Sequence, residues 1–167
     1  IRDVVGQYTG YVQVHANGYW DDRTINNSFI ADSSLLTTLE GTESVTAAVP
    51  RLESFALASS GPRTHGAQVT GVRPGAEHAL TGLSEQVAEG RYLQAGDSAI
   101  LLAAGLAQYL RLSVVDTVVL LGQGYHGVSA AGKYAVCGIV DHASPKLDRN
   151  MAYLSLGAAQ ELYYAHD

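Results

Sequence analysis

Residues 116–141, DTVVLLGQGYHGVSAAGKYAVCGIVD, contain two apolar runs joined by a glycine-rich segment. Within them GQGYHG (122–127) matches the G-x-G-x-x-G pattern of a dinucleotide-binding turn, and Asp141 stands near the position of the ribose-binding acid. Such a turn must lead from a strand into a helix whose N-terminal amides hold the pyrophosphate. Only the five residues VSAAG separate Gly127 from the next strand-like run, and a crossover between parallel strands needs about a dozen. The two runs therefore predict antiparallel strands joined by a hairpin loop over residues 122–132, with no cofactor-binding site.

The overall composition is that of one ordinary globular domain. The 167 residues are 47% hydrophobic and 16% charged, and the formal net charge is −6. Lys133 and Lys146 are the only lysines, and the sequence has no basic cluster that could neutralise phosphates, which excludes nucleic-acid binding. Cys137 is the only cysteine, which excludes a disulfide framework and a cysteine-based zinc site.

Hydrophobic periodicity predicts short strands with short helices between them. Strands are expected at residues 10–20, 64–72, 98–102, 116–122, 133–141 and 151–156. Helices are expected at 35–41 after a cap at Asp32, Ser33 or Ser34, at 103–112 and at 157–164, with a weakly helical pattern at 77–90 that stops at Gly90. Together these elements are typical of an α+β fold with a mixed, mostly antiparallel sheet and two lobes.

No arrangement of residues indicates catalysis or metal binding. The GDS triplet that ends at Ser98 is similar to the nucleophile block of certain esterases, but residues 141–144 and the C-terminal YYAHD do not supply their paired Asp and His convincingly. The histidines lack the H-x-H or H-x-x-x-H spacing of a metal site; they are His15, His65, His78, His126, His142 and His166. We therefore expect no catalytic residue and no metal ligand.

Five blocks of the sequence, taken in order and with their spacing, resemble one family. They are QVTGVRPGAE, EGRYL, SAILLAAGLAQYLRLSVVDTVVLLGQG, YAVCGIVD and MAYLSLGAAQEL. These blocks resemble the periplasmic core domain of MacB-like and FtsX-like permeases of ATP-binding cassette (ABC) transporters, and the LolC/LolE lipoprotein-releasing type is the branch that looks most similar. The resemblance spans most of the chain and is strongest from Val69 to Leu162.

The resemblance implies a non-catalytic domain on the periplasmic side of the bacterial inner membrane. Residues 1–167 would form one domain, excised from between the first two of four membrane helices, with both ends on the same side of the fold. A separate ATP-binding subunit or domain would hydrolyse ATP, so this chain itself would hold no cofactor. The domain would couple that hydrolysis to lipoprotein release or substrate export, with a second permease copy and the transmembrane helices as partners.

The resemblance also implies a role for the glycine-rich hairpin. In lipoprotein-releasing permeases the corresponding loop can project as a hook that captures a periplasmic lipoprotein chaperone. Tyr125 and His126 are the only large side chains here, and aromatic anchors concentrate binding energy; the other interpretation is a mobile hairpin tip without a partner. The candidate partner-binding residues are Gly122, Gln123, Gly124, Tyr125, His126 and Gly127.

Two other function classes remain open from the sequence. A ligand-binding or sensory ectodomain would need an apolar pocket with a few convergent polar groups. A small hydrolase would use Ser98 as its nucleophile, and full activity of a Ser98→Ala variant would exclude it.

Overall fold

The computed structural model describes residues 12–166, which form one sheet with helices packed on it. The strands are β1 (Arg51–Ser60), β2 (Arg63–Val72), β3 (Val87–Gly90), β4 (Ile100–Ala103), β5 (Thr117–Gln123), β6 (Ser129–Val140) and β7 (Met151–Ser155). The α-helices are α1 (Ser33–Glu40), α2 (Pro74–Thr81), α3 (Ala104–Leu110), α4 (Pro145–Asn150) and α5 (Leu156–Tyr163). Three 3-10 helices lie at Ile25–Asn27, Leu83–Gln86 and Tyr125–Gly127. The predicted α+β class is confirmed.

The seven strands form a mixed sheet in the order β3-β6-β4-β7-β2-β1-β5. Because β6 also pairs with β5, the six strands other than β3 close into a ring, and β3 is an edge strand beside β6. The pairs β2–β7 and β4–β6 are parallel, so the expected mostly antiparallel sheet is corrected to a mixed one. Parallel neighbours are joined through intervening helices and strands, and local hairpin patterns in the sequence therefore do not reveal them.

Two hydrophobic clusters lie on opposite faces of the central strands, as the alternation of side chains along a strand requires. In β4 and β7, Leu102 and Leu154 belong to the first cluster, whereas Leu101 and Tyr153 belong to the second. The first cluster also takes buried side chains from α3 and α5, and the second takes Leu83 and Leu93. Both clusters share one sheet, and the expected two-lobed arrangement stays a prediction.

Local sequence signals explain most helix boundaries. Asp32, one of the three predicted caps, is the N-cap of α1, since its Oδ1 accepts a hydrogen bond from the Leu35 N–H at 2.8 Å. The second helix differs from the prediction. It begins at Pro74, whose fixed φ suits the first helical position, and it ends at Gly82, which has φ +70. Gly90 therefore ends strand β3 rather than a helix.

The strand predicted at residues 10–20 is wrong for the part that the structure describes. Residues 12–16 have no regular structure, and residues 17–21 form turns around Gly18, which has φ +82. Residues 10 and 11 lie outside the described residues. The alternating pattern did not produce a strand here because a strand also needs a partner that supplies its hydrogen bonds.

Residues 12–50, which we call the N-terminal arm, contribute a single side chain to the core. Ile25 is 4% exposed and is the only buried residue between positions 12 and 55. The partly buried hydrophobic residues that pack against either cluster all come from residues after 50. Helix α1 itself has no buried residue. The arm is therefore attached to the sheet through one buried side chain.

Gly71 allows helix α5 to lie directly on strand β2, and this contact gives a first prediction. A Cβ at Gly71 would overlap the Cβ of Ala159, so we expect Gly71→Ala to lower the free energy of unfolding by about 1–3 kcal/mol. Urea denaturation followed by circular dichroism measures this loss. Gly66→Ala is the matched control, because on the same strand nothing lies within 4 Å of its added Cβ.

The double variant Gly71→Ala/Ala159→Gly tests the cause of that loss. Removing the methyl group of Ala159 makes room for the new one, so the double variant should be more stable than the sum of the two single changes predicts. A glycine inside a helix costs about 1 kcal/mol by itself, and the single variant Ala159→Gly measures that cost. Strictly additive effects would contradict the steric explanation.

Candidate functional site

The glycine motif lies in a hairpin, as predicted from its spacing. Strands β5 and β6 are antiparallel, and their pairing runs from Thr117 opposite Ala135 to Gln123 opposite Ser129. The predicted loop over residues 122–132 is too long, because only residues 124–128 lie outside the ladder. Small residues that resembled a flexible loop are strand residues instead. Ala130, for example, pairs with Gly122 and is buried in the first cluster.

Two glycines of the motif serve close packing. A Cβ at Gly124 would lie 2.7 Å from the main-chain oxygen of Tyr163 in α5, and one at Gly122 would lie 2.9 Å from the main-chain oxygen of Phe55 in β1. Both distances are shorter than real Cβ contacts allow. The glycines therefore let the hairpin lie against α5 and β1. This packing explains the glycine motif without a dinucleotide-binding helix after it.

Residues 124–128 form the tip of the hairpin. The two large side chains of this tip have different environments. Tyr125 is half-buried and packs against the first cluster, whereas His126 is exposed. Their rings meet edge to face with 4.1 Å between centroids. His126 has φ +55, a left-handed conformation that costs a residue with a Cβ about 1–2 kcal/mol. Of the two predicted aromatic anchors, only His126 is freely presented to solvent.

The N-terminal arm holds the backbone of the tip. Asn26 Oδ1 accepts a hydrogen bond from the His126 N–H at 2.8 Å, between residues one hundred positions apart. Ile25, next to Asn26, belongs to the same cluster that Tyr125 packs against. The Gly124 N–H donates to the Val128 carbonyl at 2.7 Å and closes the loop. Nothing in the sequence indicates the contact with the arm, since no local pattern pairs residue 26 with residue 126.

An apolar surface lies beside the hairpin and was missed in the sequence analysis. Phe55, Leu57 and Leu121 are 62%, 51% and 47% exposed, and Leu57 stands directly opposite Leu121 in the β1–β5 pair. In β1 the small residues Ala56 and Ala58 face the core. The large residues therefore face outward, which reverses the usual pattern. The alternation of large residues with alanine in FALAS was the available signal.

Ser98, the nucleophile of the hydrolase hypothesis, is exposed just before β4. Its neighbour Asp97 is already engaged, because Oδ2 accepts a hydrogen bond from Arg91 Nη1 at 2.6 Å and Oδ1 accepts one from the Ala99 N–H at 3.2 Å. The bond from Arg91 holds the pKa of Asp97 below its usual range. Within residues 12–166, no histidine is hydrogen-bonded to Ser98.

A cleft of about 520 Å³ lies between strand β2 and helices α3 and α4. His65 and Tyr109 meet edge to face at its wall, with 4.9 Å between ring centroids. Asp148 joins the elements around it, since its carboxylate accepts hydrogen bonds from the Gly105 N–H at 3.0 Å and the His142 N–H at 3.1 Å. Burial lowers the pKa of His142. The lining mixes charged, aromatic and small residues.

In the described part of the chain, no three or more His, Cys, Asp or Glu residues come together as a group that could hold a metal ion. None of the helices within residues 12–166 combines the length and apolar character needed to cross a bilayer.

Comparison with known proteins identifies a structural neighbour but no sequence family. No family model and no curated protein matches the chain. Among solved structures, it matches the extracellular domain of the noncanonic ABC-type transporter YknZ from Gram-positive bacteria, with a TM-score of 0.57 and 14% sequence identity. The match covers 77% of this chain and 64% of that chain, so this chain spans less than two thirds of its neighbour. The chain therefore shares the fold of an ABC-transporter extracellular domain.

Proposed function

We propose that this chain is the extracytoplasmic domain of an ABC transporter permease. The observation that carries the proposal is the fold shared with a transporter extracellular domain over 77% of the chain. The domain lies on the periplasmic side of the bacterial inner membrane, between two transmembrane helices of its permease. It is non-catalytic, and it couples ATP hydrolysis by a partner subunit to lipoprotein release or substrate export.

The contacts of the hairpin support a role in binding a partner. Its backbone is held by packing at Gly122 and Gly124 and by the hydrogen bond from His126 to Asn26. The exposed side chain of His126 and the neighbouring apolar surface of Phe55, Leu57 and Leu121 are then presented to solvent from a fixed frame. A partner binds a preformed surface at a lower entropic cost than a flexible loop. A periplasmic protein or lipoprotein chaperone is the partner that we assign to residues 122–127.

The proposal is tested on the full-length gene product. Tagged protein extracted from membranes should co-purify with an ATP-hydrolysing subunit and with a second permease copy. Recovery of the natural protein from the soluble or culture fraction, without an ATPase, would overturn the proposal. If the ATPase is present, binding of a purified periplasmic lipoprotein chaperone should fall about tenfold in His126→Ala, as expected for the loss of an anchor side chain. Pro62→Ala, at the opposite turn between β1 and β2, is the matched control.

A ligand-binding ectodomain is the second candidate, and the cleft beside Tyr109 is the observation that favours it. Its volume of about 520 Å³ is in the range of small-molecule sites. A ligand present at one hundred times its Kd would stabilise the chain by about 2.7 kcal/mol. Melting temperatures of the wild type and of Tyr109→Ala, measured with a metabolite panel, decide between the two candidates. A stabilisation that Tyr109→Ala abolishes favours the ligand-binding ectodomain. No stabilisation by any metabolite favours the permease.

A further inference from the structure

The N-terminal arm meets the rest of the protein at the hairpin tip. Its one buried side chain, Ile25, enters the cluster against which Tyr125 packs, and the next residue, Asn26, accepts the hydrogen bond from the His126 N–H. The 3-10 helix at Ile25–Asn27 thus lies on the 3-10 helix at Tyr125–Gly127. Ile25 and Asn26, which we call the anchor of the arm, are therefore in direct contact with the candidate partner site.

Several further interactions of the arm are made within the arm itself. The rings of His15 and Tyr19 stack at 4.4 Å, and the guanidinium of Arg23 lies 4.4 Å from the centre of the Trp20 ring. The side-chain amide of Asn27 donates to the main-chain oxygen of Asp22 at 2.6 Å. These contacts keep parts of the arm together without attaching them to the sheet.

The anchor also contains a feature that weakens it. The hydroxyl of Thr24, next to Ile25, is buried without a hydrogen-bond partner. An unsatisfied buried hydroxyl disfavours the docked state, because release of the arm would return it to water. Ile25 and the hydrogen bond between His126 and Asn26 hold the arm at the tip, against the entropy of ordering the segment and the desolvation of Thr24.

We propose that Ile25 and Asn26 are positioning residues for the hairpin tip, and that the arm sets the conformation of the tip by docking and undocking. With the arm docked, the hydrogen bond that the His126 N–H donates to Asn26 Oδ1 fixes the backbone of His126 in its left-handed conformation. With the arm released, that conformation loses its support, and the tip relaxes to an ensemble. Movement of the arm is thereby transmitted to residues 124–128. The coupling between arm and tip does not depend on the proposed function. Only the identity of the partner that the tip binds rests on it.

Amide hydrogen exchange measured by NMR on the chain tests the proposal. In Asn26→Ala and in Ile25→Ala, exchange of the His126 amide should become about tenfold faster or more, since it loses a hydrogen bond or the packing that holds it. Asn27→Ala is the matched control, because the Asn27 side chain bonds within the arm. Amides in the centre of β5 and β6 should exchange at wild-type rates in all three variants, which separates local release from global unfolding.

The reverse experiment uses the reciprocity of coupled equilibria. If the arm stabilises the tip, then the tip stabilises the arm to the same extent. Replacing residues 124–128 by a two-residue Asn-Gly turn keeps the ladder between Gln123 and Ser129 and removes the surface of the tip that contacts the arm. Limited proteolysis within residues 24–31 should then become faster, while β5 and β6 stay protected.

Two results would overturn the inference. One is an unchanged His126 exchange rate in both Asn26→Ala and Ile25→Ala. The other is an equal acceleration in Asn27→Ala, which would show that the arm does not act through its anchor. These measurements involve no ATPase and no membrane, so a negative result would not contradict the proposed transporter function. Conversely, the absence of an ATPase in the co-purification would not contradict the coupling between arm and tip.

Discussion

Replacing Glu77 with glutamine is expected to lower the free energy of unfolding by about 3–5 kcal/mol. Glu77 lies on α2 and is 1% exposed, and its carboxylate accepts hydrogen bonds from both the Nε and the Nη2 of Arg51 at the start of β1. In Glu77→Gln, the largely buried guanidinium would lose its buried carboxylate. The guanidinium then keeps its contact with Glu53 at 3.9 Å, but it loses the buried carboxylate that compensates its desolvation. The pair also holds α2 beside β1, so its loss should loosen the cover of the second cluster.

The measurement is urea denaturation together with thermal melting. A loss of this size should lower the Tm by about 6–20 °C in a protein of this length. Glu53→Gln is the matched control, because its carboxylate lies 3.9 Å from Arg51 and is more exposed, and a pair of that kind contributes about 0–1 kcal/mol. The double variant Arg51→Met/Glu77→Leu should recover most of the stability, since apolar residues can replace a buried pair. A Glu77→Gln variant within 1 kcal/mol of wild type would contradict this account.

The second large effect is expected from Gly90→Ala, which should lower the free energy of unfolding by about 2–6 kcal/mol. Gly90 ends β3 with φ +72, and an added Cβ would overlap the main-chain oxygen of Cys137 and lie 2.9 Å from the Cα of Gly138. Both neighbours are backbone atoms of β6, which cannot move without disturbing the sheet. The change therefore combines backbone strain with a clash that would push β3 away from β6.

Gly96→Ala separates these two contributions. Gly96 has φ +74, but nothing lies within 4 Å of its added Cβ, so this variant should show only the strain of about 1–2 kcal/mol. Equal losses in the two variants, measured by urea denaturation, would mean that the contact with β6 is unimportant. Hydrogen exchange adds a second measurement. The Arg91 N–H, which donates to the Cys137 carbonyl at 2.9 Å, should lose its protection in Gly90→Ala and keep it in Gly96→Ala.

The candidate site illustrates why a glycine motif must be interpreted with its surroundings. Gly122 and Gly124 stand where the hairpin meets β1 and α5, and no α-helix follows the motif before β6. The antiparallel hairpin was predictable, because five residues are too few for a crossover. The length of its loop was not, because Ala130 and Gly132 carry no local signal that distinguishes a strand from a loop. Their positions follow from pairing with Gly122 and Leu120 across the ladder.

The sequence by itself determined the elements whose signals are local. Strands β2, β5 and β7 and helices α3 and α5 were predicted close to their observed bounds, because periodicity and chain length act within about ten residues. Only the tertiary structure decided the parallel pairing of β4 with β6, the exposure of Phe55 and Leu57, and the docking of Ile25 and Asn26 beside the hairpin tip. These features join residues tens of positions apart. Their energies depend on packing and hydrogen bonding between surfaces that exist only once the chain has folded, and a one-dimensional pattern does not record them.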